Sequence, residues 1–432
     1  MANITLGSAG LTLAGALAFV LGSPAAMAAS PQRDLTGVTY RAGIDLVDAF
    51  TDTDVAGPPT AARAESPGGG GAGQPAAGVE TLAGGLEHAL DDYRSTWGNL
   101  PTIAVPAGPA LAPGQHGARI ALLRERLGLE AGDGYDGALA EAVRRYRHVH
   151  GLGDGTTADA ATIASLNRGP AYYEALIRLN LERLRALPAD DSGRFILVDA
   201  AAQRLWLYED GAPVDAMKVV VGKTASPTPM FATLIYAAEV NPYWNVPPDL
   251  VQKLVAPRVV KEGISYLARS GYDVLSDWSE TAQMVDPATV DWRAVAAGSA
   301  NVRVRQQPGP GNAMGALKLF MPNRFGVYLH DTPDKQLFAG DDRRRSNGCI
   351  RLEDAARLAR WLFGEMPSAP DAGTLVPLAK PVPVYVTYLT AASDPVEGLV
   401  FRADRYDRDQ AALAELDQPD VNHQEVIQTA SR

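Results

Sequence analysis

Hydrophobic positions along this chain change their period twice. From Thr81, the residues Leu82, Leu86, Leu90 and Tyr93 recur at the spacing of one helix face, and Trp97-Gly98-Asn99-Leu100-Pro101 ends the run. Ile120, Leu123 and Leu127 repeat the same spacing, with Gly128 at a helix end. Asp136 is placed to cap a helix lined by Leu139, Val143 and Tyr146, which closes at His150-Gly151. A third short helix is expected from Asp159, with Ile163 and Leu166 inward. Residues 172–187 predict a longer helix through Leu176, Leu179, Asn180 and Leu184. Beyond it the period falls to two: Phe195, Leu197, Leu205, Leu207, Met217, Val219 and Val221 recur at alternate positions, the mark of half-buried strands. Asp210-Gly211 supplies a hairpin turn. Further strands are expected over 231–240, 317–321, 326–330 and 382–388, and a helix after Leu352 through Ala355, Leu358, Trp361 and Leu362.

The pattern divides the chain. Residues 1–28 read as an export signal: 11–21 is an apolar run too short to span a bilayer, and Ala26-Met27-Ala28 offers a small-residue cleavage site. Residues 29–80 read as a disordered linker, because 57–78 is rich in Gly, Pro and Ala and lacks the apolar side chains that offset ordering entropy. A helical scaffold segment (81–110), a small helical module (111–168) and a connecting helix (169–190) follow. A mostly β domain is expected over 191–390, interrupted at about 247–304 by mixed helical and polar sequence of the length of a capping insertion. A C-terminal extension (391–418) and a disordered tail (419–432) complete the chain.

Composition narrows the classes. The chain has 432 residues, too many for one ordinary domain. The hydrophobic fraction of 46% and charged fraction of 21% are those of a globular protein. A formal net charge of −11 argues against a general nucleic-acid binder. No later segment has the uninterrupted apolar length of a membrane helix. His148 and His150 lack a partner set at metal-ligand spacing, and read as solvated histidines near a helix C-terminus.

Cys349 is the sole cysteine, so it forms no intrachain disulfide. Its surroundings decide between an inert buried thiol and a reactive one. A strand, Val327-Tyr328-Leu329, ends in His330, then Asp331-Thr332-Pro333; a polar loop leads to Arg343-Arg344-Arg345-Ser346-Asn347-Gly348-Cys349-Ile350-Arg351. A thiol attacks as the thiolate and needs a base or a positive charge beside it. His330, fixed at a strand end, suits a general base. Gly348 lets the backbone turn sharply, so that the N–H groups of Gly348 and Cys349 can face an oxyanion. Arg343 and Arg351 add positive charge for a thiolate or for substrate carboxylates. Ser346 reads more readily as a turn-bonding hydroxyl than as a reacting one.

This segment resembles the L,D-transpeptidase motif: a histidine, fifteen intervening residues from His330 to Ser346, then Ser-x-Gly-Cys, an apolar residue and Arg. Val219-Val220-Val221-Gly222-Lys223 with Thr228-Pro229, 241–247 and 305–315 resemble the large envelope members with a capping insertion. Residues 111–167 resemble a peptidoglycan-binding three-helix module. Asn347 stands where many relatives carry His or Ser. The resemblance implies an α+β multi-domain protein whose Cys349 and His330 form 3→3 peptidoglycan cross-links through a thioester, releasing D-Ala from tetrapeptide stems. It implies a backbone oxygen such as the Asp331 carbonyl orienting His330, and substrate contacts from Arg343, Arg351, Ser346, Asn347, Tyr243, Trp244 and Asn312. No metal or organic cofactor is implied. The implied partners are donor and acceptor stem peptides and other cell-wall synthesis proteins, in the periplasm of a Gram-negative envelope. Acylation by carbapenems and tolerance of ordinary penicillins are also implied. L,D-carboxypeptidase, wall-anchoring and non-catalytic scaffold readings share much of the same sequence.

Overall fold

The computed structural model describes residues 79–188, 193–279 and 281–416. The export signal, most of the linker and the tail from 417 onward fall outside the described residues. Five helices come first: α1 (Val79–Tyr93), α2 (Ala118–Arg126), α3 (Gly137–Val149), α4 (Ala160–Arg168) and α5 (Pro170–Arg185). Local chemistry sets their ends. Asp136 and Asp159 each accept a hydrogen bond from the third residue beyond, Leu139 and Thr162, capping α3 and α4. Pro170 starts α5, where its missing N–H costs nothing. Helices α2 to α4 close around Ile120, Leu123, Leu139, Val143, Tyr146 and Leu166, a core of their own.

The mostly β domain follows, with strands β1 (Arg194–Asp199), β2 (Arg204–Glu209), β3 (Ala212–Gly222) and β4 (Phe231–Val240). Asp210 and Gly211 both take positive φ (48° and 79°), the conformation of a tight hairpin turn between β2 and β3. The insertion carries three short strands, β5 (Trp244–Val246), β6 (Tyr272–Leu275) and β7 (Arg303–Gln306), in the order β5-β7-β6. Its helices are α6 (Pro248–Leu250), α7 (Ala256–Glu262), α8 (Ser265–Arg269) and α9 (Trp292–Ala296). Val246, Val255, Val259, Leu267, Trp292 and Val304 form a separate apolar core there.

The main sheet resumes with β8 (Leu317–Phe320), β9 (Leu329–His330), β10 (Arg344–Ser346) and β11 (Ile350–Leu352), then α10 (Ala355–Phe363) and β12 (Thr374–Thr387). Its nine strands run β10-β3-β11-β9-β8-β4-β12-β1-β2, and a further β2–β3 pairing returns the order on itself. The described residues close with a hairpin, β13 (Ala391–Asp394) with β14 (Gly398–Phe401), and helix α11 (Asp409–Leu416). Two strands differ most from expectation: the one expected over 382–388 begins eight residues earlier, at Thr374. The strand expected over 326–330 shortens to Leu329–His330, because Asn323 gathers the preceding segment into a turn. Its amide donates to the carbonyls of Met321 and Val327 and accepts from the N–H groups of Phe325 and Val327.

Candidate active site

Strand register assembles the site. On parallel strands β9 and β11, His330 pairs with Arg351; on antiparallel β8 and β9, His330 pairs with Lys318. Lys318 in turn pairs with Glu239 on β4. Directly paired residues share a face of the sheet, so Glu239, Lys318, His330 and Arg351 form one polar row across four strands. Cys349 lies immediately before β11, two residues from Arg351, and the charges of Lys318 and Arg351 both act on its thiol. The N–H of Ile350 donates to the Tyr328 carbonyl at 2.9 Å, which seats Cys349 against Tyr328.

His330 is buried, at 1% exposure. Its Nδ1 lies 2.5 Å from the Asp331 carbonyl oxygen. A carbonyl only accepts, so Nδ1 carries the proton and Nε2 keeps its lone pair. Burial, then the Arg351 charge, pulls its pKa down to about 4, with Lys318 adding to the effect and the Asp331 carbonyl opposing it. The imidazole is therefore neutral at neutral pH. Cys349 is half-buried, and its thiol donates to the Gly326 carbonyl at 3.8 Å. Burial pushes the thiol pKa up, against the Tyr328 backbone and the Lys318 and Arg351 charges. The resting pair is a neutral thiol and a neutral imidazole, and no hydrogen bond joins them among the described residues.

The turn ahead of Cys349 is tightly specified. Gly348 has φ of 121°, a region that side chains avoid. The Ser346 hydroxyl donates to the Cys349 carbonyl at 2.6 Å and accepts from the Gly348 N–H at 3.1 Å. The expectation that the Gly348 N–H faces an oxyanion is thereby corrected, because that donor is already used. The N–H of Cys349 has no partner among the described residues. Ser346 is buried and its hydroxyl serves the turn. Asn347 is exposed at the tip of the turn.

The two arginines separate. Arg343 is buried, and its guanidinium donates to the carbonyls of Val219, Gly340, Asp341 and Gln203. With its donors committed to backbone, it is a brace and not a carboxylate receptor. Arg351 makes no hydrogen bond or ion pair among the described residues, and its buried Nε is left without an acceptor. The Asp331 carboxylate faces away from the imidazole: Oδ1 binds Lys335 at 2.7 Å and Oδ2 accepts the Ala316 N–H at 3.0 Å. Burial raises its pKa, but Lys335 and the Ala316 and Thr332 N–H groups outweigh that and hold it below the ordinary range.

Asn312 is also corrected. It is 1% exposed, donates to the carbonyls of Pro242 and Gln307, and accepts from the Met314 N–H at 2.7 Å, so it pins the end of the insertion and does not line a groove. Tyr243 stacks under the Arg305 guanidinium at 4.5 Å, and Trp244 packs partly against the insertion core. His150 is not solvated: it is buried at 6% exposure between aromatic rings. Lys318 was overlooked in the sequence. The signal was available, a lysine inside the apolar run Leu317-Lys318-Leu319-Phe320.

Residues 193–384 match the YkuD family model, described as an L,D-transpeptidase catalytic domain. The mostly β domain is similar to that family over these residues, and helices precede it. A putative L,D-transpeptidase of Haemophilus influenzae is 32% identical over 224 residues, covering 50% of this chain. The match spans only 44% of that relative's length. Among solved structures, an L,D-transpeptidase from Mycobacterium smegmatis is 16% identical, covering 45% of this chain and 58% of that one, with a TM-score of 0.22. One from Xylanimonas cellulosilytica is also 16% identical, covering 65% and 98%, with a TM-score of 0.20.

Proposed function

We propose that this protein is a cysteine L,D-transpeptidase that forms 3→3 cross-links between peptidoglycan stems in the periplasm. The observation that carries the reading is the state of His330. Its Nδ1–H is tied to a backbone oxygen, its Nε2 is unprotonated, and the charges of Arg351 and Lys318 act on both its ring and the Cys349 thiol.

In the proposed reaction His330 Nε2 takes the thiol proton as Cys349 Sγ attacks the carbonyl of the third stem residue. Attack from a neutral pair needs no preformed ion pair, which suits the depressed imidazole and raised thiol. The Cys349 N–H is the backbone donor available to the oxyanion. The C–N bond to D-Ala breaks, and the imidazolium gives its proton to the leaving amine. The acceptor amine then attacks the thioester and gives a proton to His330 Nε2; the C–S bond breaks, and that proton passes to Sγ to restore the thiol. Arg351, free of other partners, receives a substrate carboxylate; a charge-assisted bond of that kind is worth ~1.5–3 kcal/mol. The insertion covers the cleft and favours amine over water. The helical module holds the enzyme near the wall, and an N-terminal leader directs export.

Purified protein is to be incubated with disaccharide-tetrapeptide and the products separated by mass. Cross-linked dimers with released D-Ala are expected. Tripeptide alone makes the enzyme a carboxypeptidase, and unchanged tetrapeptide overturns the proposal.

A further inference from the structure

The turn that carries Cys349 is held from behind by a segment beyond the family match, which ends at residue 384. The Tyr406 hydroxyl donates to the Gly222 carbonyl, and Arg408 donates to the Thr228 carbonyl at 2.8 Å. Gly222 ends β3, and Thr228 lies in the loop that follows it. The Gly222 N–H donates to Thr228 Oγ1 at 2.9 Å, and the same hydroxyl donates to the Gly348 carbonyl at 2.7 Å. The Lys223 N–H donates to the Ser346 carbonyl at 3.0 Å. Arg408 is thus two hydrogen bonds, and Tyr406 three, away from the peptide that precedes the cysteine.

The loop has no room to adjust. A Cβ on Gly222 would lie 2.1 Å from the Ser226 carbonyl oxygen, so the chain folds directly over that glycine. Thr228 is fully buried, with its hydroxyl used as both donor and acceptor. The C-terminal segment is itself anchored. Tyr388 OH accepts the N–H groups of Arg405 and Tyr406 at 2.6 and 3.0 Å, and the Tyr388 and Tyr406 rings stack at 4.9 Å. Arg183 on α5 pairs with Asp409 at 2.9 Å, with side-chain exposures of 1% and 5%. Breaking one side of such a buried pair is costly, so the anchor is stiff.

We infer that the segment 404–409 is a positioning device for the nucleophile: Tyr406 and Arg408 fix the loop 222–228, and that loop fixes the Gly348 carbonyl and hence the direction of the Cys349 backbone. The inference rests on the reading of Cys349 as nucleophile. A hydrogen-bonded chain of this kind carries backbone geometry, and a misplacement of about 1 Å at a reacting atom costs on the order of 10²-fold in rate.

Tyr406→Phe removes one hydroxyl and keeps the ring stack. Two readouts are needed: the rate of Cys349 acylation by meropenem, followed by intact mass, and amide hydrogen exchange of residues 346–349. Acylation is expected to slow by about tenfold, with exchange at 346–349 rising by about tenfold and exchange in the insertion unchanged. Unchanged exchange at 346–349 in the folded variant overturns the inference. If the wild-type protein takes no adduct, the enzymatic reading fails, while the exchange result still decides the positioning role. Should Tyr406→Phe not fold, Arg408→Lys, which keeps the charge and loses the reach to Thr228, carries the same expectations.

Discussion

His150 in the helical module and His330 in the sheet look alike by burial and differ in everything that surrounds them. Both are nearly inaccessible, and both place Nδ1 on a backbone carbonyl, of Tyr146 at 2.8 Å and of Asp331 at 2.5 Å. Burial is the largest cause of a depressed pKa in each, to about 3 and about 4. Yet His150 Nε2 meets the Tyr93 hydroxyl at 3.2 Å, and the ring stacks on Tyr146 and Phe401. His330 Nε2 has no hydrogen-bond partner among the described residues, and the Arg351 and Lys318 charges act on the ring. A buried histidine becomes a candidate base through a free nitrogen on a polar face, not through burial. The same contrast divides Arg343, whose donors are committed, from Arg351, whose donors are not.

Exchanging the two histidines for alanine tests that contrast hardest. His330→Ala is expected to lower the transfer rate by about 10³-fold or more while leaving the thermal midpoint nearly unchanged. His150→Ala is expected to do the reverse, costing about 2–4 kcal/mol in denaturant unfolding with activity largely kept. If both lose activity equally in folded protein, the contrast is void. Arg351→Met is expected to reduce kcat/KM by about 10–100-fold, mainly through KM, whereas Arg343→Met costs stability of about 1–3 kcal/mol. Steady-state kinetics with urea curves on the same samples separates the two.

A smaller effect is expected at Gly151. With φ of 64°, its added Cβ would lie 2.0 Å from the Phe401 carbonyl oxygen, where α3 meets β14. Gly151→Ala is expected to cost about 2 kcal/mol by calorimetry without changing the pH profile. The pH dependence is the gentlest probe. The fold prefers both histidines neutral, so the unfolded chain binds more protons as pH falls below the ordinary 6.5. Their contribution to stability is whole above pH 6.5 and is lost as pH falls towards 4 and 3. The acid limb of kcat/KM should accordingly lie near pH 4; a limb near 6.5 would mean His330 is solvated.

Much of this could be read from the residues. Helix faces and caps are local, so Leu86, Leu90 and Tyr93, and the caps Asp136 and Asp159, were visible. The alternation through 195–221 marked the strands, and the motif from His330 to Arg351 marked the site. Pairing was not visible, because strand register is set by distant partners. Nothing local to Lys318 says that it lies opposite His330. The backbone roles of Arg343 and Asn312 were not legible for the same reason: a polar residue close in sequence to a reactive group has backbone partners that only the fold supplies. His150 was read as solvated because its burial comes from Tyr93, Tyr173 and Phe401, far away in the chain.

The central claim is that Cys349 becomes acylated with His330 Nε2 as its base. Intact-protein mass after brief exposure to a carbapenem, at pH 5 and pH 7, reads it directly on the wild type, Cys349→Ala and His330→Ala. One adduct per chain at both pH values, absent from Cys349→Ala and strongly slowed in His330→Ala, is the predicted result. An adduct that persists in Cys349→Ala, or forms as fast without His330, contradicts it.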